Sequence, residues 1–182
     1  MMALKIALAI FVLIVVLLVF AATKPNSFRV QRSITILASQ QKVFSLINDL
    51  HAWDAWSADN GGATPQKVYG GPASGKGATA EWDSGGRAGA AKMTITESTE
   101  PSRVLVEVDW RKPFEAHNVN EFTLQARGYE TQVSWSILAS NSYSMKLIGI
   151  FVNMPSEFGK HMELGLKNLK NAAEKNQAGT GT

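Results

Sequence analysis

The chain has 182 residues, 45% of them hydrophobic and 18% charged, with a formal net charge of +3 and no cysteine. That length holds one domain and a short appendage, and the missing thiols exclude a disulfide scaffold, thiolate metal sites and cysteine catalysis. Of the 18 Lys and Arg residues only Lys5 precedes Lys24, and the remaining 17 face 15 acidic residues without long charge runs, so no nucleic-acid partner is expected.

Residues 6–22 form an uninterrupted apolar run, which Met1 to Leu4 extend. About 20 apolar residues span a bilayer core, and Lys5 can snorkel to the headgroups, so residues 1–22 are expected to be a transmembrane anchor. The competing reading is a signal peptide, because Val19-Phe20-Ala21 before Ala22 offers a small-residue cleavage site. Its charged n-region is poor, and its apolar core exceeds the usual length of about 7–15 residues. Both readings place the chain at a membrane, of bacterial inner-membrane type. Lys5 on one flank and Lys24, Arg29 and Arg32 on the other do not select an orientation.

Residues 23–27 read as a linker whose Pro25 discourages the helix from continuing. The folded domain is expected over 28–175. Over 28–36, Phe28, Val30, Ile34 and Ile36 share one face, the period-2 pattern of a half-buried strand, with Arg32 the exception on that face. Ser39 then stands at an N-cap position before the helical stripe of Val43, Phe44, Leu46 and Ile47. Leu50, Trp53 and Trp56, spaced by three, predict a second brief helix.

Six further strands are predicted over 66–69, 78–83, 89–98, 103–110, 115–125 and 131–139. Their connections are short and turn-rich, at 60–62, 70–72, 84–86, 101–102 and 127–128, which argues for antiparallel hairpins and against βαβ crossovers. From Ser144 the period becomes helical, and Phe158, Met162, Leu166, Leu169 and Ala173 form a stripe. Pro155 implies either a restart with proline in the first turn or a kink at Met154. The polar tail 176–182 has the composition of a disordered segment.

This order is carried by Ser33-Ile34-Thr35-Ile36, Val43-Phe44-Ser45-Leu46-Ile47-Asn48-Asp49, Trp53-Asp54-Ala55-Trp56-Ser57, the loop from Gly71 to Gly77, and Ile95-Thr96-Glu97-Ser98. Further on, Lys112-Pro113-Phe114-Glu115-Ala116-His117-Asn118 and Glu121-Phe122-Thr123-Leu124 continue it. From about residue 28 to 175 the chain resembles the polyketide cyclase/START-like (Bet v 1-like, SRPBCC) superfamily, in its membrane-anchored bacterial form. The resemblance implies an α+β helix-grip fold, a curved seven-stranded antiparallel sheet around a long C-terminal helix. It also implies a cavity for a hydrophobic molecule more firmly than it implies a reaction.

Side-chain parity says what would line such a cavity. Val104, Val106, Val108 and Trp110 share a face, as do Val133, Trp135 and Ile137. Setting Phe122 and Leu124 inward carries Asn118 and Asn120 inward and sends His117, Glu121 and Thr123 outward. Trp82 follows Ala78 and Ala80 inward, and Met93 joins Ile95. The candidate ligand-binding set is therefore Trp82, Met93, Trp110, Asn118, Asn120, Trp135 and Arg32, an apolar chamber with a few amides and one cation. Plain core packing of the tryptophans, protein hydrogen bonding of the amides, and emergence of Arg32 at the sheet rim are the competing explanations.

Catalytic constellations are thin: GxSxG and HExxH are absent, and His51, His117 and His161 lie far apart in sequence. His117 could pair with Glu115, yet parity sends both to solvent. No catalytic residue, metal site or cofactor is assigned. The loop 70–77 nearly spells a phosphate-binding GxxxxGK[ST] motif, but Gly77 replaces the final Ser or Thr, and a strand rather than a helix follows. It is expected instead as a flexible hairpin loop at the cavity mouth. The stretch 145–154, apolar nearly all round, is expected either between sheet and loops or as a lid or bilayer-resting patch.

The expected function is a membrane-anchored binding module for a hydrophobic or amphipathic small molecule, lipid-like or polyketide-like. A cyclase or hydrolase using the same cavity, and a surface-acting interaction protein with a filled cavity, are the alternatives. Neither the ligand nor a protein partner is named by the sequence.

Overall fold

Alternating side chains become strands wherever one face has something to cover it. The computed structural model describes residues 2–57, 65–84 and 89–175; the turn at 60–62, most of that at 84–86 and the tail 176–182 lie outside them. Seven strands form: β1 (Ser27–Ile36), β2 (Val68–Gly70), β3 (Thr79–Asp83), β4 (Ala90–Thr99), β5 (Arg103–Lys112), β6 (Ala116–Arg127) and β7 (Glu130–Ser140). They build one antiparallel sheet in the order β1-β7-β6-β5-β4-β3-β2. The helices are α1 (Met2–Thr23), α2 (Gln40–Asn48), α3 (Tyr143–Phe151) and α4 (Met154–Glu174).

The helix boundaries follow local chemistry. Ser39 caps α2 by accepting from the backbone of Lys42. The brief helix after it is a single 3₁₀ turn, Ala52–Ala55. It is fastened to α2 by two indoles, Trp53 Nε1 donating to Ile47 O at 2.8 Å and Trp56 Nε1 to Leu46 O at 3.0 Å. Of the two possibilities at Pro155, the restart holds: Asn153 Oδ1 caps α4 by accepting from Ser156 N at 3.2 Å, and the proline occupies the first turn, where its missing N–H costs nothing. The predicted stripe of α4 lies against the sheet, with Met162, Leu166, Leu169 and Ala173 buried. In β4 the pairing skips Thr96 between Ile95 and Glu97, a bulge that bends the strand and adds to the curvature.

The pairing defines two ends of the sheet. Ser27 meets Ser140, Trp110 meets Ala116, and Lys112 meets Ala90, so the start of β1, the end of β7, the β5–β6 hairpin and α3 gather at one end with α1. The glycine loop does not belong there. It departs from the Gly70–Thr79 pair at the other end of β3, where Gly75 N donates to Asn48 O at 2.9 Å and Gly77 N to Ile95 O at 2.8 Å. The loop is thus packed onto α2 and β4 and is not at the cavity mouth.

Residues 24–26 are more than a linker. Asn141 Nδ2 donates to Pro25 O at 2.9 Å, Lys146 Nζ to Asn26 Oδ1 at 2.6 Å, and Lys24 Nζ to Gly149 O at 2.7 Å. Tyr143 Oη reaches back to Leu18 O at 3.0 Å. These bonds hold α3 alongside the last turns of α1, where Ala21 is buried. Burial of α3 is therefore against α1 and the chain joining it to β1.

Candidate functional site

Tryptophan is an awkward residue to bury, because its large apolar ring carries one N–H that must find an acceptor. The sheet solves this twice with one device. On β6, Asn120 Oδ1 accepts from Trp135 Nε1 of β7 at 3.0 Å. Two residues earlier Asn118, its amide oxygen turned toward the indole, accepts from Trp110 Nε1 of β5 at 3.0 Å and donates to His117 O at 3.0 Å. Asn120 lies opposite Ile137, two residues from Trp135, and Asn118 opposite Val108, two residues from Trp110. Each pair is thus a diagonal neighbour on the inner face, within reach of a long side chain.

The two pairs sit in different surroundings. Trp135 is closed into the core, its ring stacked on Phe122 at 5.0 Å and met edge-on by Trp56 at 6.2 Å. His161 of α4 meets it edge-on at 6.4 Å, and burial there pushes the imidazole below its ordinary pKa by penalising the charged form. Trp110 instead lines an open cleft of ≈ 200 Å³ at the α1 end of the sheet. The cleft is walled by Phe28 of β1 and Ala139 of β7, Phe114 and Ala116 from the β5–β6 hairpin, Met145 of α3 and Phe158 of α4. Phe28 and Phe158 close one side edge to face, 5.4 Å apart.

Polar side chains at the cleft already have protein partners. Asn118 holds Trp110, Ser140 Oγ accepts from His117 N at 3.0 Å, and Lys112 Nζ pairs with Asp83 Oδ2 at 2.8 Å. What the cleft offers is apolar surface.

Of the seven sequence-derived candidates, then, Trp110 and Asn118 line this cleft. Trp82 supports it, meeting Trp110 edge-on at 5.8 Å and 88°. Met93, Asn120 and Trp135 point inward as parity requires but are packed in the core, away from the opening. Arg32 leaves the set. Its guanidinium passes over Gly159 of α4, where an added Cβ would stand 2.2 Å from Nη2, and pairs with Glu163 Oε1 at 2.6 Å. Glycine at 159 makes the room, and the cation emerges at the rim.

The pattern places Phe28 and Phe158 on inward faces without marking them as cleft residues. Phe114 and Met145 carry no periodic signal, since one sits in a turn and the other on a helix apolar all round. The histidines do not converge: His51 bonds Asp49 and stacks on Tyr69, while His117 faces outward and bonds Asp109 Oδ1 at 2.7 Å.

Comparison with known proteins agrees with the architecture. The family model described as polyketide cyclase / dehydrase and lipid transport matches residues 27–174. No curated protein matches the sequence. Among solved structures, a protein from Chromobacterium violaceum superposes with a TM-score of 0.59 at 15% identity, covering 82% of this chain and 99% of its own. The Aha1 dimer from Colwellia psychrerythraea gives 0.56 at 17%, covering 81% and 96%. A hypothetical protein from Helicobacter pylori gives 0.61 at 7%, covering 81% and 88%. At these identities the likeness is one of fold. With the family model covering all but the amino-terminal helix and the tail, the chain belongs to the polyketide cyclase/dehydrase and lipid transport family.

Proposed function

We propose that this protein is a membrane-tethered binding module that holds the apolar part of a lipid-like or polyketide-like molecule in the cleft beside Trp110. The observation that carries this reading is the state of the cleft's polar side chains: Asn118, Ser140 and Lys112 are each bonded to protein, so recognition there comes from excluding water from the ligand's apolar surface. The volume of ≈ 200 Å³ is below the ~300–1,000 Å³ of sites that enclose a whole drug-sized ligand. A single chain or ring fits, and a polar head stays outside. The tether is α1, 22 residues long and apolar enough to cross a bilayer.

The test is native mass spectrometry of the full chain released gently from membranes, with the denatured sample used to identify any bound small molecule. A stoichiometric apolar mass, lost in Trp110→Ala while the variant stays folded, is the expected result. Protein that remains empty when offered lipid extracts overturns the reading and turns attention to the domain surface.

A further inference from the structure

The cleft and the membrane helix share one end of the molecule, and the chain between them is stiff. From Leu18, bonded to Tyr143, to Lys24, bonded to Gly149, the rise along a helix is about 9 Å. The bond from Lys146 to Asn26 adds a third point of attachment. Helix α3 is thus fixed beside the carboxy-terminal turns of α1, within the depth of about 5–10 Å at which interfacial helices bury their apolar faces. The side chains it presents there suit that depth. Phe151 is 80% exposed, and Tyr143 and Val152 are exposed with it. On the neighbouring β5–β6 hairpin Phe114, which lines the cleft, is also exposed.

We propose that α3 and the β5–β6 hairpin rest in the leaflet that receives the end of α1, so that the cleft opens onto lipid acyl chains rather than water. This rests on the tether proposed above and names both what covers the apolar surface and where the ligand comes from. The occupant is the bilayer because α1 continues the same surface: its own exposed apolar side chains run up to Phe20, between the Leu18 and Lys24 contacts with α3. Lys24 Nζ, over the Phe20 ring at 5.5 Å and bonded to Gly149 O at 2.7 Å, ties the first charged residue after the span to α3. Tyr143 occupies the belt position that tyrosine favours at such a boundary. A chain entering between Phe114 and Met145 would reach Trp110 without crossing water.

The chain has no cysteine, so one introduced thiol reports one place. Phe11→Cys, Phe114→Cys, Phe151→Cys and Tyr129→Cys are made in the full chain, labelled with an environment-sensitive fluorophore and reconstituted in phosphatidylcholine vesicles. Quenching by aqueous iodide is compared with quenching by spin-labelled lipid. Tyr129, 91% exposed in the β6–β7 turn at the far end, is the aqueous reference, and Phe11 reports the span. The proposal expects the labels at 114 and 151 to be shielded from iodide severalfold relative to 129 and quenched by the lipid, as at 11. A label at 151 as open to iodide as at 129, with 11 in lipid, overturns the docking while the tether stands. A label at 151 in lipid with 114 in water overturns the opening onto acyl chains. If 11 is itself in water, the tether fails and the docking with it.

Discussion

Asn118 and Asn120 show what a polar residue on an inward face is for. Each accepts from an indole N–H, so the amides allow two tryptophans to be placed on the strands either side of β6 without an unpaired donor. Removing the acceptor strands the donor, a cost of about 1–3 kcal/mol for a buried group. Asn120→Ala is therefore expected to lower unfolding free energy by that order in urea titrations of the full chain in detergent. Trp135→Phe in the same background should recover part of the loss, since the stranded N–H goes with the indole. The two effects should not add. Independent addition would mean the bond carries nothing. His161 makes a different prediction. Its pKa is lowered in the folded state by burial, so the unfolded chain binds the proton more readily. The stability His161 contributes is then complete above the ordinary histidine value of about 6.5 and falls as pH drops below it. Thermal midpoints measured from pH 8 to 5 should decline less in His161→Gln than in the natural chain; parallel curves would assign the acid sensitivity elsewhere.

Among the elements, the β2–β3 loop repays attention because its sequence invites a functional reading its structure does not support. Gly71 has φ +74°, and a Cβ there would stand 2.2 Å from Gly77 O, a backbone atom that cannot step aside. Gly71→Ala is expected to destabilise by more than about 1 kcal/mol, while ligand affinity at the distant cleft stays unchanged in the folded fraction. Altered affinity at unchanged stability would restore a binding role to the loop. At Gly159 the obstacle is the movable end of Arg32, so Gly159→Ala breaks the half-exposed Arg32–Glu163 pair at a cost of about 1 kcal/mol or less. These two glycines look alike in a sequence. What distinguishes them is the positive φ of Gly71 and the neighbour across the gap, a carbonyl of the same loop at Gly71 and a guanidinium reaching over from β1 at Gly159.

Across the whole molecule, legibility follows the range of the interaction. The strands and α4 could be read because alternation and the 3.6-residue stripe are local consequences of burial, and the inward placement of Asn118 and Asn120 followed from parity alone. The bulge at Thr96 escaped because it answers to β5, not to its own neighbours. The lining of the cleft was half legible: parity set Trp110 and Asn118 on its inner wall, whereas Phe114 and Met145 depend on a hairpin and a helix meeting at the α1 end. For Arg32 the sequence left a cleft position and the rim both open, because parity gives the direction in which a side chain leaves the strand but not where a long one ends; its pair with Glu163 puts it at the rim. The fastening of α3 to residues 18–26 was invisible, being made of single hydrogen bonds between segments more than a hundred residues apart.

The twin indole–amide pairs also give the protein an internal reference signal. Trp110 and Trp135 donate the same kind of hydrogen bond, from opposite sides, to the strand between them, but one ring borders the cleft and the other is sealed beneath α4. In a nitrogen–proton correlation spectrum their side-chain resonances should begin from similar chemistry and part company on titration. A molecule seated in the cleft moves the Trp110 resonance, with Trp82 beside it, and leaves that of Trp135 in place. Loss of the fold moves all three together, so a single spectrum separates occupancy from denaturation without any added probe.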